Sequence, residues 1–280
     1  MRTIPAVIIL VCATVYTVGC SRARSYELRG QVLAVDRDRQ EITITHEDIR
    51  GFMPGMTMPF KVKDASLLDA AAVGDLVRAT LVVEDSSAHL SSIVRTGHAD
   101  VVAPPPAPYV DVLEPGALVP DVKLIDESGT PRTLGDWKGR IVAVTFTYTR
   151  CPLPDFCPKM DRQFESVQRD LLADPKLRDR AALLSVSFDP AYDTPPVLAA
   201  HATRSHADPR IWHFVTGKRE EIAAFAARFG TSVIRDAANA ADITHNLRTA
   251  VIASDGTLVT IFKGNEWTPA DLLAALRQAH

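Results

Sequence analysis

Cys151-Pro152-Leu153-Pro154-Asp155-Phe156-Cys157 is a turn holding two cysteines, and the residues on either side fix what must surround it. Upstream, Ile141-Val142-Ala143-Val144-Thr145-Phe146-Thr147 is β-branched and aromatic, the composition of a buried strand. Downstream, Pro158 opens a helical pattern with Phe164, Val167, Leu171 and Leu172 on one side. Cys157 comes just before that helix, where unpaired backbone N–H groups and the macrodipole favour a thiolate. A thiolate is both a redox nucleophile and a soft-metal ligand. The chemistry of the chain is expected at this turn.

The start of the chain bears on the compartment. Met1-Arg2 is a short basic opening, Ile4 to Val18 is apolar, and Val18-Gly19-Cys20 ends the run with small residues. This reads as a secretory signal over residues 1–19. It resembles a bacterial lipobox, with Cys20 as the lipidation site and the membrane reached through a lipid anchor; a retained membrane anchor is the competing reading. Either way the remainder is expected on the exported, periplasmic side. Of four cysteines, Cys12 falls in the leader and Cys20 at its end, leaving Cys151 and Cys157 as a pair in an oxidising compartment. A structural disulfide closing so short a loop would stabilise little. A net charge of −3 with no basic run argues against nucleic acid as a partner.

Residues 27–98 read as a small all-β, OB-like barrel. Glu27 to Val35 and Glu41 to His46 alternate about the Asp36-Arg37-Asp38-Arg39 turn, and residues 58–62, 75–83 and 91–94 supply further strands. Within it, Gly51-Phe52-Met53-Pro54-Gly55-Met56-Thr57-Met58-Pro59-Phe60 holds three of the chain's five methionines. Met56 and Met58 are two apart and leave a strand on the same face, within reach of His46 at the end of the preceding strand. Neutral thioethers with one imidazole suit Cu(I) far better than Zn(II) or Mg(II); the plainer alternative is methionine filling an irregular core. This segment resembles the CusF-type periplasmic copper-binding domain. The resemblance implies His46, Met56 and Met58 as ligands, with Met53 standing where that family has a capping Trp and offering a possible third thioether.

Val101-Val102-Ala103-Pro104-Pro105-Pro106-Ala107-Pro108 is a semi-rigid spacer, placing a linker over 99–114. From 115 to 280 strands alternate with helices: strands at 122–125, 141–149, 181–188 and 212–215, helices at about 195–204 and 219–229, a hairpin over 248–262, and a helix capped by Thr268-Pro269. The expected architecture is an α/β/α domain of thioredoxin type. A reductant of that type would carry Cys-x-x-Cys and a Pro before the later strand. Here five residues separate the cysteines and His245 stands at the later position. Cys151, Cys157 and His245 would form a soft three-ligand site; zinc is the rival metal, but no fourth strong ligand is evident. His89, His98, His201, His206, His213 and His280 read as ordinary surface or core residues.

The matching residues Thr149-Arg150-Cys151-Pro152, Phe156-Cys157-Pro158, Asp189-Pro190, Asp193-Thr194-Pro195 and Thr244-His245-Asn246 resemble the SCO/SenC family closely. That resemblance implies a copper chaperone, binding Cu(I) or Cu(II), that metallates cytochrome c oxidase at its subunit II or reduces the cysteines of that centre. The family's usual spacing is Cys-x-x-x-Cys, so this loop is two residues longer. Asp189 and Asp193 are expected to fix the loop or support the ligands rather than bind metal. Three rivals remain: a thiol-disulfide oxidoreductase, for which Cys151 and Cys157 are the catalytic pair, a peroxide reductase, and a copper-tolerance buffer.

Overall fold

The computed structural model describes residues 23–53, 55–101, 111–235 and 243–279. The expected leader, Cys20 and the Pro104–Pro108 run lie outside the described residues. Among the described residues no helix is long and apolar enough to cross a membrane.

Five antiparallel strands make the first unit: β1 (Arg24–Asp36), β2 (Glu41–His46), β3 (Met56–Lys61), β4 (Asp75–Val83) and β5 (Ala88–His98), in the order β3-β2-β1-β4-β5. A parallel bridge from Val62 to Leu90 joins the two edges and closes the sheet into a barrel. Alternation puts Leu28, Val32, Ile42, Ile44, Phe60, Leu81 and Leu90 inside. Gly30 has a packing reason: a Cβ there would meet the Thr45 carbonyl oxygen at 2.3 Å, so β2 lies this close only over a bare backbone.

The second unit holds β6 (Lys123–Asp126), β7 (Pro131–Thr133), β8 (Ile141–Thr147), α1 (Cys157–Ala173), β9 (Ala181–Ser187), α2 (Pro195–Arg204), β10 (Trp212–Thr216) and α3 (Arg219–Arg228). It ends with β11 (Val233–Arg235), β12 (Ile243–His245), β13 (Arg248–Ile252), β14 (Leu258–Lys263) and α4 (Pro269–Gln278). Seven strands form one sheet, β14-β13-β8-β9-β10-β6-β7, while β11 and β12 stand apart as a two-stranded ribbon. β8, β9 and β10 run parallel, and every residue of β8 and β9 is buried, as expected of central strands covered on both faces. Ile141, Ala143 and Leu183 face one core with Phe164, Leu171, Leu198 and Leu276 from α1, α2 and α4. Val142, Val144 and Leu184 face the other with Ile222, Phe225 and Phe229. Three layers follow from that period of two, a thioredoxin-like arrangement.

Candidate metal centre

β8 ends at Thr147, and the chain crosses nine residues before α1 begins at Cys157. Two buried carboxylates hold the near end of this crossing. Asp193 accepts hydrogen bonds from the Thr149 backbone N–H at 3.0 Å and from the Thr149 and Ser187 hydroxyls. Asp189 accepts from Arg150 Nε at 2.8 Å, and the same guanidinium lies 4.7 Å from the centre of the Tyr192 ring. Neither carboxylate lines the cavity beside the cysteines.

Both thiols are free. Cys157 is 2% exposed and Cys151 half-buried. The sequence led to Cys157 as the thiolate, and here the structure corrects it. Burial pushes the Cys157 thiol well up, because desolvation outweighs its place at the helix start. Cys151 is held below the usual thiol range by a hydrogen bond from Cys157, with a further one from the Tyr148 hydroxyl. Of the two, Cys151 is the thiol that ionises more readily and Cys157 the one that holds its proton longer.

The β11–β12 ribbon delivers His245, and Asn246 anchors it by accepting from Ser232 N and donating to the Gly230 carbonyl, both at 2.9 Å. Tyr148 and Phe188 wall the His245 ring at centroid distances of 5.5 and 4.6 Å. Its Nδ1 lies 3.2 Å from the Asn246 carbonyl oxygen, which fixes the proton there and leaves Nε2 with a lone pair facing Cys157 Sγ at 4.0 Å. Burial lowers the imidazole pKa to about 4, so the ring is neutral at neutral pH. Bonds of about 2.3 Å to sulfur and about 2.0 Å to nitrogen have a joint reach of about 4.3 Å, so one ion spans this gap. Among the described residues no three His, Cys, Asp or Glu side chains already stand about one point as a cage. Cys151, Cys157 and His245 are neighbours rather than a formed cage.

In the barrel, β2 and β3 pair His46 directly opposite Met56 and Ile44 opposite Met58. Directly opposed residues share a face, with Cβ atoms about 5 Å apart. His46 is 3% exposed; its Nδ1 lies 2.8 Å from the Glu47 carbonyl oxygen, while Nε2 is buried without a hydrogen-bond partner. Burial lowers its pKa too. An orphaned, neutral imidazole nitrogen beside thioethers is a donor set fitted to a soft ion. Met53 and Met58 are buried and Met56 half-buried.

Sequence reasoning separated the two donor sets by a linker, and the structure brings them together. Met53, Met56, Met58, Tyr148, Cys151 and His245 line one cavity of about 20 Å³. It adjoins a cleft of about 520 Å³ between β2–β3 and the 245–248 and 263–265 segments. Leu153, between the cysteines, is 2% exposed and packs into the barrel's core. The available signal was the pair Leu153 and Phe156, two large apolar side chains in a turn that solvent would otherwise cover.

Residues 111–280 match the family model described as SCO1/SenC, and residues 25–95 match that of the copper binding periplasmic protein CusF. A relative named SCO1 protein homolog, from Bacillus subtilis (strain 168), is 25% identical over 147 residues, covering 52% of this chain and 74% of its own length. The mitochondrial SCO2 homolog of Mus musculus is 32% identical over 103 residues, covering 37% of this chain but only 38% of that protein. A solved structure of BsSco, described as a member of the Sco family of cytochrome c oxidase assembly proteins with a disulfide switch, superposes with a TM-score of 0.51. It is 24% identical and covers 61% of this chain and 98% of that one. With the family model covering well over half its length, the chain belongs to the SCO1/SenC family.

Proposed function

We propose that this protein is an exported copper metallochaperone, tethered to a membrane through Cys20, that delivers copper to an exported cuproprotein such as cytochrome c oxidase at its subunit II. Copper is the metal favoured by both family matches and by the chemistry of the donors. The observation that carries the proposal is the 4.0 Å approach of a neutral His245 Nε2 to Cys157 Sγ, beside a second sulfur in Cys151. The barrel set of His46, Met56 and Met58, with Met53 nearby, would hold Cu(I) and release it readily, because thioethers carry no charge. Cys151, Cys157 and His245 would bind more tightly, and could take Cu(I) or Cu(II), since thiolate charge offsets that of the cation. The linker would raise the effective concentration of one site at the other.

The test is anaerobic copper titration followed by mixing with a copper-free subunit II domain. The expected result is two equivalents bound by the wild type, one by the Cys151→Ser/Cys157→Ser double variant, and copper appearing on the acceptor. A double variant that keeps both equivalents would rule out the thiol site.

A thiol-disulfide oxidoreductase is the second reading, favoured by the ordering of the two thiols: Cys151, the more readily ionised, to attack and Cys157 to resolve. Its discriminator is turnover of a protein disulfide by the copper-free chain.

A further inference from the structure

We infer that the two donor sets meet in a composite transfer site across the domain boundary, in which Met56 of the barrel holds a copper ion in transit jointly with Cys151 and His245. This rests on the chaperone reading above and supplies its internal route. Met56 belongs to both sets: it is paired with His46 across β2 and β3, and it lines the cavity that Cys151 and His245 also line. That cavity measures about 20 Å³. A single water needs about 10–15 Å³ on the same measure, so there is room for one ion stripped of its shell.

The contact is built into the fold rather than left to the linker. Leu153 is seated in the core that holds Met53 and Met58, and Cys151 and Phe156 pack against the same core. Asp155 and Ala88 of the barrel line one cleft, and Lys61 of the barrel pairs with Glu266 at 3.5 Å. The thiol turn is thus pinned against the methionine strand from both of its ends.

Transfer across this site is ligand exchange with no electron moved. Copper enters as Cu(I) on His46 and the thioethers. The bond to His46 Nε2 breaks as the bond to Cys151 Sγ forms, Met56 remains attached, and His245 Nε2 completes the set. Cys157 then replaces Met56, and its thiol proton leaves to solvent. Copper remains Cu(I) throughout.

The experiment is copper K-edge absorption on the full chain produced with selenomethionine and loaded anaerobically with one equivalent of Cu(I). A His46→Leu background removes the barrel's nitrogen donor and confines the ion to the thiol side. The expected first shell contains selenium together with sulfur and nitrogen, and adding Met56→Leu removes the selenium. Sulfur and nitrogen alone in the His46→Leu chain would overturn the composite site while leaving the chaperone reading intact. A chain that retains no copper would overturn both. The unaltered chain gives a second measurement should His46→Leu not fold. Leu153→Asp should split its single mixed spectrum into separate thioether and thiolate populations, with transfer slowed at least ten-fold. An unchanged spectrum and rate would count against the inference.

Discussion

His245 Nε2 and Cys157 Sγ stand 4.0 Å apart although 88 residues separate them in sequence. The imidazole reaches that place on a ribbon outside the main sheet, clamped by Asn246, with its Nδ1 turned to a backbone carbonyl. His245→Ala should weaken copper at the thiol site at least about ten-fold, the usual scale for disturbing a metal set. Competition with a Cu(I) chelator measures it. The barrel equivalent should be unaffected.

The division of the thiols predicts which one reacts first. Cys151, lowered and half-buried, should alkylate about ten-fold or more faster than Cys157 at pH 7, since the thiolate is the nucleophile. Timed iodoacetamide labelling with peptide mass spectrometry reads the order. Preferential labelling of Cys157 would reverse the assignment.

The copper-free chain should show a pH dependence of stability set by His245. Its pKa falls from 6.5 to about 4 on folding, so between those values the unfolded chain binds more protons than the folded one. Stability should therefore rise with pH from about 4 and level off above about 6.5, by on the order of 3 kcal/mol. Urea titrations at several pH values give the slope, and His245→Gln should flatten it.

Arg150 and Asp189 predict a larger effect of removing the cation than of neutralising the anion. Asp189 is 1% exposed and its carboxylate is met by Arg150 at 2.7 Å. Arg150→Met leaves that buried charge short of its cation and should cost about 2–4 kcal/mol, with Asp189→Asn costing less. Chemical denaturation of both variants decides it.

Leu153→Ala should destabilise by about 2–4 kcal/mol, the scale of a truncated buried leucine. Because Leu153 fills the barrel from the other unit, the loss should show in the barrel's melting as well as in that of the thiol domain. Differential scanning calorimetry resolves the two.

Much of this architecture was legible because it rests on periodicity. The largely apolar runs at 141–147 and 181–187, interrupted only by Thr and Ser, announce strands covered on both faces, and they are. Met56 and Met58 share a face because a strand has a period of two. The small β11–β12 ribbon was not legible: its three-residue strands are too short for any period to register. Cys157 was read as the favoured thiolate because local sequence displays a helix start but not the burial that desolvates the thiol. The contact between the units was invisible for a related reason. Leu153 looks like any apolar residue in a turn until its neighbours, which come from a different fold, are known.

Leu153 also limits how such proteins can be rebuilt. A barrel grafted in from another chain would arrive without a socket for this side chain, and a turn shortened between the cysteines would leave the present barrel with a hole. Any exchange across this seam has to carry the plug and its socket together.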